Sequence, residues 1–219
     1  MTLDEANEKC KQLTQLNIDI WNARSSAAKD GLRTAFKTIY RDILNAKFKV
    51  RKWKEYTKEG TKPMFKAVDD GTREMLAIVN NRPTEGWHKG DCTTRSICFC
   101  TGADYNEIYS EQEFYARKSS YGTWRTPSVW KQCFYKRGYC DIKLPRKVAR
   151  KTFIKLFKNS SINEGIIATT SSRHIAAIDM KEKKILDLFN SSGDRIYEII
   201  VPVKQKEEYE KEIKRIFKK

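Results

Sequence analysis

The sequence predicts an α+β protein. Apolar residues recur at helical spacing through the first third, and short β-prone runs separated by turn residues fill the last third. A composition that is 39% hydrophobic supplies a core, so folding needs neither metal nor disulfide.

Leu13, Leu16 and Ile20 mark a first helix. Asn22 to Ser26 reads as a break. Leu32, Phe36, Ile39 and Ile43 then form a 3.6-residue stripe on a second helix. That helix is expected to end in a basic run, Lys47, Lys49, Arg51, Lys52 and Lys54, which reaches Lys58 with Trp53 and Tyr56 interleaved. Gly60 to Pro63 is its stop signal. Residues 1 to 62 are therefore expected as a basic helical hairpin.

Met75 to Val79 is a short apolar run, broken by Asn80-Asn81-Arg82-Pro83 and followed by a loop from Thr84 to Gly90. Cys92 to Thr101 has helical spacing and stops at Gly102. Asp104 can cap a helix through about Arg117, and Thr126 or Ser128 one that holds Val129, Trp130, Cys133 and Phe134 and ends at Gly138. Four strands are expected at Gly165–Thr170, His174–Asp179, Lys184–Phe189 and Ile196–Val203, with Lys181-Glu182-Lys183 as a hairpin turn. An antiparallel sheet is the expected arrangement. A closing helix, 204 to 219, carries Tyr209, Ile213, Ile216 and Phe217 on one face.

The formal charge of +16 excludes an acidic solvating protein and admits phosphate-rich or acidic partners. No stretch has the roughly 20 apolar residues of a membrane span, and the acidic start Met1-Thr2-Leu3-Asp4-Glu5 has no apolar signal region. A cytoplasmic, membrane-free protein is expected. In a reducing compartment the six cysteines, Cys10, Cys92, Cys98, Cys100, Cys133 and Cys140, must be explained by packing, metal binding or catalysis.

Cys92 is the informative one. Gly90-Asp91 leads into a helix that starts at or beside it, where unpaired N–H groups and the helix dipole favour thiolate, while the Asp91 carboxylate opposes. His174 opens a strand after the turn Thr170-Ser171-Ser172-Arg173. The next hairpin can bring Asn190 or Asp187 beside it, and an orienting third group is what a Cys–His pair needs.

Cysteine at a helix start, then histidine opening a strand, then Asn one hairpin later is a chain order that resembles the papain-like cysteine peptidase superfamily. It is closest to small bacterial and phage-encoded members. The matching strings are Gly90-Asp91-Cys92-Thr93-Thr94-Arg95, His174-Ile175-Ala176-Ala177-Ile178 and Asp187-Leu188-Phe189-Asn190-Ser191-Ser192. The likeness covers residues 80 to 203. It implies a papain-like core over residues 75 to 203, with the nucleophile helix packed on a small antiparallel sheet. Cys92 would be the nucleophile, His174 the general base and acid, and Asn190 the orienting residue, with Asp187 competing for that role. A protein or peptide substrate is implied, with no metal or organic cofactor. The chain departs from papain in having no Gln just upstream of Cys92, where the oxyanion donor would sit. Asn80, Asn81 and His88 are the only amide or imidazole side chains nearby.

Two rival constellations stand beside this one. His88, Cys92, Cys98 and Cys100 could suggest zinc, but Cys98-x-Cys100 is too short for a structural zinc pair. The basic runs, Lys47, Lys49, Arg51 and Lys52 with Lys147, Arg150 and Lys151, could follow a phosphate backbone, or could be solvated helix faces. The preferred reading is a cysteine hydrolase acting on an amide or isopeptide bond. The alternatives are acyl transfer to an amine, or a silent papain-like fold used as a basic binding module in a phage structural or accessory protein.

Overall fold

The computed structural model describes residues 1–57, 60–69, 71–86, 88–119 and 122–218. Lys58 of the basic run, Trp87 of the expected loop and Lys219 of the last helix lie outside them. The chain divides into two compact units, Met1–Glu74 with Leu188–Asn190, and Met75–Asp187 with Ser191–Lys219.

The first unit opens with α1 (Leu3–Asn22) and α2 (Ser26–Asn45). A reciprocal capping box starts α1: the Thr2 hydroxyl accepts from the Glu5 amide and the Glu5 carboxylate from the Thr2 amide. Ser25 caps α2 through the Ala28 amide. Leu13 of α1 and Ile43 of α2 are fully buried, whereas Phe36 is half-buried and meets Phe65 edge-on, ring centroids 5.5 Å apart.

The basic run corrects the sequence expectation. The second helix stops at Asn45, and residues 49–57 are β1 (Lys49–Thr57), paired antiparallel with β2 (Gly60–Val68). Ala46 and Val50 follow Ile43 at helical spacing, but the helix is not continued past Asn45. Instead Phe48 and Val50 alternate inward to meet Phe65 and Ala67, a period of two. Side chains of α1 also accept from the β2 backbone: Thr14 from the Phe65 amide at 3.3 Å and Asn7 from the Ala67 amide at 3.0 Å.

The second unit is a six-stranded sheet built from β3 (Leu76–Ile78), β4 (Tyr139–Ala149), β5 (Ile166–Ser171), β6 (Ile175–Asp179), β7 (Lys184–Asp187) and β8 (Arg195–Pro202). Its order is β3-β7-β6-β5-β8-β4. The sheet is mixed, because β3 runs parallel to β7 while the other described pairs are antiparallel. The short run at Met75 supplies that edge strand, reached by a long crossover that permits parallel pairing.

Helices cover both faces. On one side α3 (Cys92–Thr101), α4 (Tyr105–Lys118) and α5 (Pro127–Lys136) bury Ile97, Ile108, Trp130 and Phe134 with Ala168, Ile175 and Ile200. On the other, α6 (Arg150–Leu156) and α7 (Lys206–Phe217) bury Phe153, Tyr209 and Ile213 with Ile167, Ile199 and Val201. The alternation of Ile199, Ile200 and Val201 between the two clusters is the strand period expressed as packing. Asp104 caps α4 by accepting from the Asn106 and Glu107 amides, and Gly102, at φ 72°, ends α3 in the left-handed region.

Residues 143–149, taken as part of a basic helix face, belong to β4, where the register shifts between Lys143 and Val148. Arg150 is not on a surface at all: it is 0% exposed. It therefore leaves the set of cations that can meet a phosphate backbone. Among the described residues no helix is long and apolar enough to cross a membrane.

Candidate active site

The site lies where the start of α3 meets one end of the sheet. Cys92 is the first residue of α3, so its thiol stands among first-turn N–H groups that have no intrahelical partner, at the positive end of the dipole. Asp91 occupies the cap position, yet its side chain makes no cap hydrogen bond. It turns instead into a buried ion cluster. Arg82 grips it with Nε and Nη2, both at 2.6 Å, the Tyr105 hydroxyl donates to it at 2.9 Å, and Arg95 Nε stands 3.3 Å away. The sequence expectation that Asp91 opposes the thiolate is thus weakened, because two guanidinium groups face that carboxylate.

His174 sits in the turn between β5 and β6. The Ser171 hydroxyl accepts from its amide at 3.1 Å, and its carbonyl accepts from the Ser171 amide and hydroxyl, each at 2.8 Å. Its ring is 13% exposed. Nε2 meets Asp187 Oδ2 at 2.6 Å, and the imidazole also hydrogen-bonds the Cys92 thiol. With Nε2 on the carboxylate, Nδ1 is the nitrogen left for sulfur.

Asp187 ends β7 and is 1% exposed. Its Oδ2 also accepts from the Ser191 hydroxyl at 2.6 Å, and Arg95 Nη2 reaches Oδ1 at 3.3 Å. Arg95, on the turn of α3 after Cys92, bridges Asp91 and Asp187. Asn190 is placed otherwise. Its amide donates to Thr72 Oγ1 at 3.3 Å, while the Asp187 carboxylate lies against the imidazole.

These contacts set the charges. Burial pushes the Cys92 thiol up, but the His174 hydrogen bond and charge, the Ile175 amide and Arg95 outweigh it and hold the thiol below its ordinary value. Burial lowers His174, but hydrogen bonds to Asp187 and Cys92 outweigh it and raise the ring from 6.5 to about 9. Burial would raise Asp187, but His174, Ser191 and Arg95 hold it below the usual carboxylate range. The other five cysteines go the opposite way: burial pushes Cys10 up to about 11 and Cys98 and Cys133 up to about 12, and raises Cys100 and Cys140 as well. Cys92 alone of the six is held below its ordinary value, beside an imidazole held above its own and a carboxylate held below its own. That is the arrangement of an activated nucleophile with a proton carrier and an orienting group.

The residue that sequence reasoning misplaced is Arg150. Its Nε donates to Thr169 Oγ1 at 2.8 Å, and Nη1 to the Ser191 carbonyl at 3.1 Å and Asp194 Oδ2 at 2.8 Å. Its Nη2 donates to the Thr169 carbonyl at 3.1 Å and the His174 carbonyl at 3.2 Å. One guanidinium thus ties the end of β5, the turn carrying His174 and the loop carrying Ser191. Its only signal in the sequence is the apolar company Val148, Phe153 and Ile154.

Among the upstream candidates for an oxyanion donor, Asn81 donates its amide to the Arg95 carbonyl at 3.1 Å, and the His88 ring stacks on Tyr109 at 3.7 Å. Among the described residues, no three His, Cys, Asp or Glu side chains gather as a metal-ligand set. Comparisons with protein-family models, with curated proteins and with solved structures found no match to this chain.

Proposed function

We propose that the second unit is a papain-like cysteine hydrolase that cleaves an amide or isopeptide bond of a protein or peptide. The observation that carries this reading is the line Cys92–His174–Asp187, in which the one thiol held below its ordinary value is the one that touches the imidazole. The Cys92 thiolate attacks the carbonyl carbon and forms a C–S bond. The Cys92 backbone N–H, at the start of α3, faces the developing oxyanion. His174 Nδ1 gives its proton to the leaving nitrogen as the C–N bond breaks, which leaves a thioester. The neutral ring then takes a proton from water, whose oxygen displaces the sulfur. Asp187 holds Nε2–H throughout and keeps the imidazolium in place. Asp187 takes the orienting role in this reading, in preference to Asn190.

The test is acylation by p-nitrophenyl acetate, which needs no knowledge of the substrate. Nitrophenolate should appear as a burst of one equivalent per chain and then a slower steady release, with the transient acetyl group on Cys92 by mass spectrometry. Cys92→Ala and His174→Ala should each remove the burst. Acetylation spread over the cysteines, or unchanged in His174→Ala, would leave a silent fold in place of an enzyme.

A further inference from the structure

We infer that the outward face of the β1–β2 ribbon binds single-stranded nucleic acid. Residues paired directly across a ribbon share a face, so the register separates its two sides. Val50↔Ala67 and Lys52↔Phe65 belong to the side that packs toward α1, where Val50, Phe65 and Ala67 enter the core. Lys52 is drawn to that side too, its ammonium 5.6 Å from the Phe65 ring centroid. Lys47 precedes the strand, with φ 68°. The other side carries Lys49, Arg51, Trp53 and Glu55, opposite Val68, Lys66, Met64 and Lys62. Four cations and one acid share this face.

At its centre Trp53 is 44% exposed, with Met64 directly opposite and the Arg51↔Lys66 pair one step along the ribbon. A large aromatic ring held in water between cations matches a ligand that offers both a flat π-face and negative charge. Unstacked bases on a phosphate backbone offer both, with a ring for Trp53 to stack on and phosphates for Arg51 and Lys66. In a duplex the base faces are already stacked on one another, and an acidic peptide has no base to stack, so both fit the aromatic centre less well. The alternation, cation then Trp then acid along β1, places the aromatic between charges as no helical reading of the same run would.

The experiment is fluorescence anisotropy of labelled oligothymidylate with the full chain carrying Cys92→Ala. Affinity should fall by about 0.7 decade per decade of salt for each phosphate contacted. Trp53→Ala should weaken binding by about 5–150-fold, the value of one base–aromatic stack, and Trp53→Phe should restore most of it. Lys66→Glu should flatten the salt dependence, while Lys147→Glu with Lys151→Glu should leave it unchanged. Circular-dichroism melts identify variants that still fold, and Lys66→Gln serves if the glutamate does not. Duplex or a polyglutamate peptide bound as tightly as the single strand, or Trp53→Ala binding like the parent, would overturn the inference. Both results are independent of Cys92 chemistry.

Discussion

Replacing Asp187 by Asn tests how the charge at the site is made. The imidazole of His174 stands at about 9 against an ordinary 6.5. At about 1.4 kcal/mol per pH unit, that gap is roughly 3 kcal/mol of net preference for the charged ring. Two partners raise it, Asp187 first and Cys92 second, and burial opposes both. Because burial opposes them, the two partners together supply more than that gap, and losing Asp187, the larger, should lower the population of the imidazolium–thiolate pair in Asp187→Asn by about tenfold or more, ~1.4 kcal/mol. The alkaline limb of the acetylation profile should then move down from about 9. Asn190→Ala should leave that limb where it is. Arg95 keeps Asp91 as a partner in the variant, so the fold should persist, and a urea titration checks it. The assay is the burst rate with p-nitrophenyl acetate across pH on the folded variant. An alkaline limb unmoved in Asp187→Asn, or moved in Asn190→Ala, would refute the assignment.

Further outcomes follow from the same contacts. His174 is raised on folding, so its contribution to stability is full below 6.5 and is lost as pH rises through about 9; the urea midpoint should drop over that window, and drop less in Asp187→Asn. Arg150→Met removes donors from Thr169, Ser191, Asp194 and His174 and should destabilise by about 3 kcal/mol in a urea titration, with Arg150→Lys recovering only part because it lacks the planar fork. Ser191→Ala removes one donor to a buried carboxylate and should cost about 1.5–3 kcal/mol by the same measurement. Phe36→Ala should cost about 2 kcal/mol, below the ~3–5 of a fully buried phenylalanine, because its ring is half-buried against Phe65.

Some of this was legible in the sequence, for physical reasons. Helices with caps and one apolar face announce themselves, as Asp104 did for α4 and the Tyr209 and Ile213 face did for α7. The basic ribbon did not, because Lys and Arg at alternate positions carry no burial signal, and only Phe48 and Val50 mark the inward side. The parallel placement of β3 beside β7 is a long-range pairing that no local pattern encodes. Cys92 and His174 can be named from residue type and chain order, which leave Asn190, the first choice, and Asp187 both open as the third group. Which of Asp187 and Asn190 lies against the ring depends on where β7 ends, and it ends at Asp187, two residues before the expected Phe189. Arg150 was hidden by its own chemistry, because a guanidinium reads as surface charge until five donors are seen to be taken up inside.

The most direct test of the central claim is the pH dependence of iodoacetamide labelling, read at each cysteine by mass spectrometry. A thiolate held by His174 should label at Cys92 with an acid limb below the ~8.5 of a free thiol, and a second rise near 9 as the imidazolium loses its proton. In His174→Ala the limb should climb toward the free-thiol value, because burial is then opposed only by the Ile175 amide and Arg95. A single titration of Cys92 near 8.5 in the parent, unchanged by loss of His174, would contradict the ion pair and with it the hydrolase.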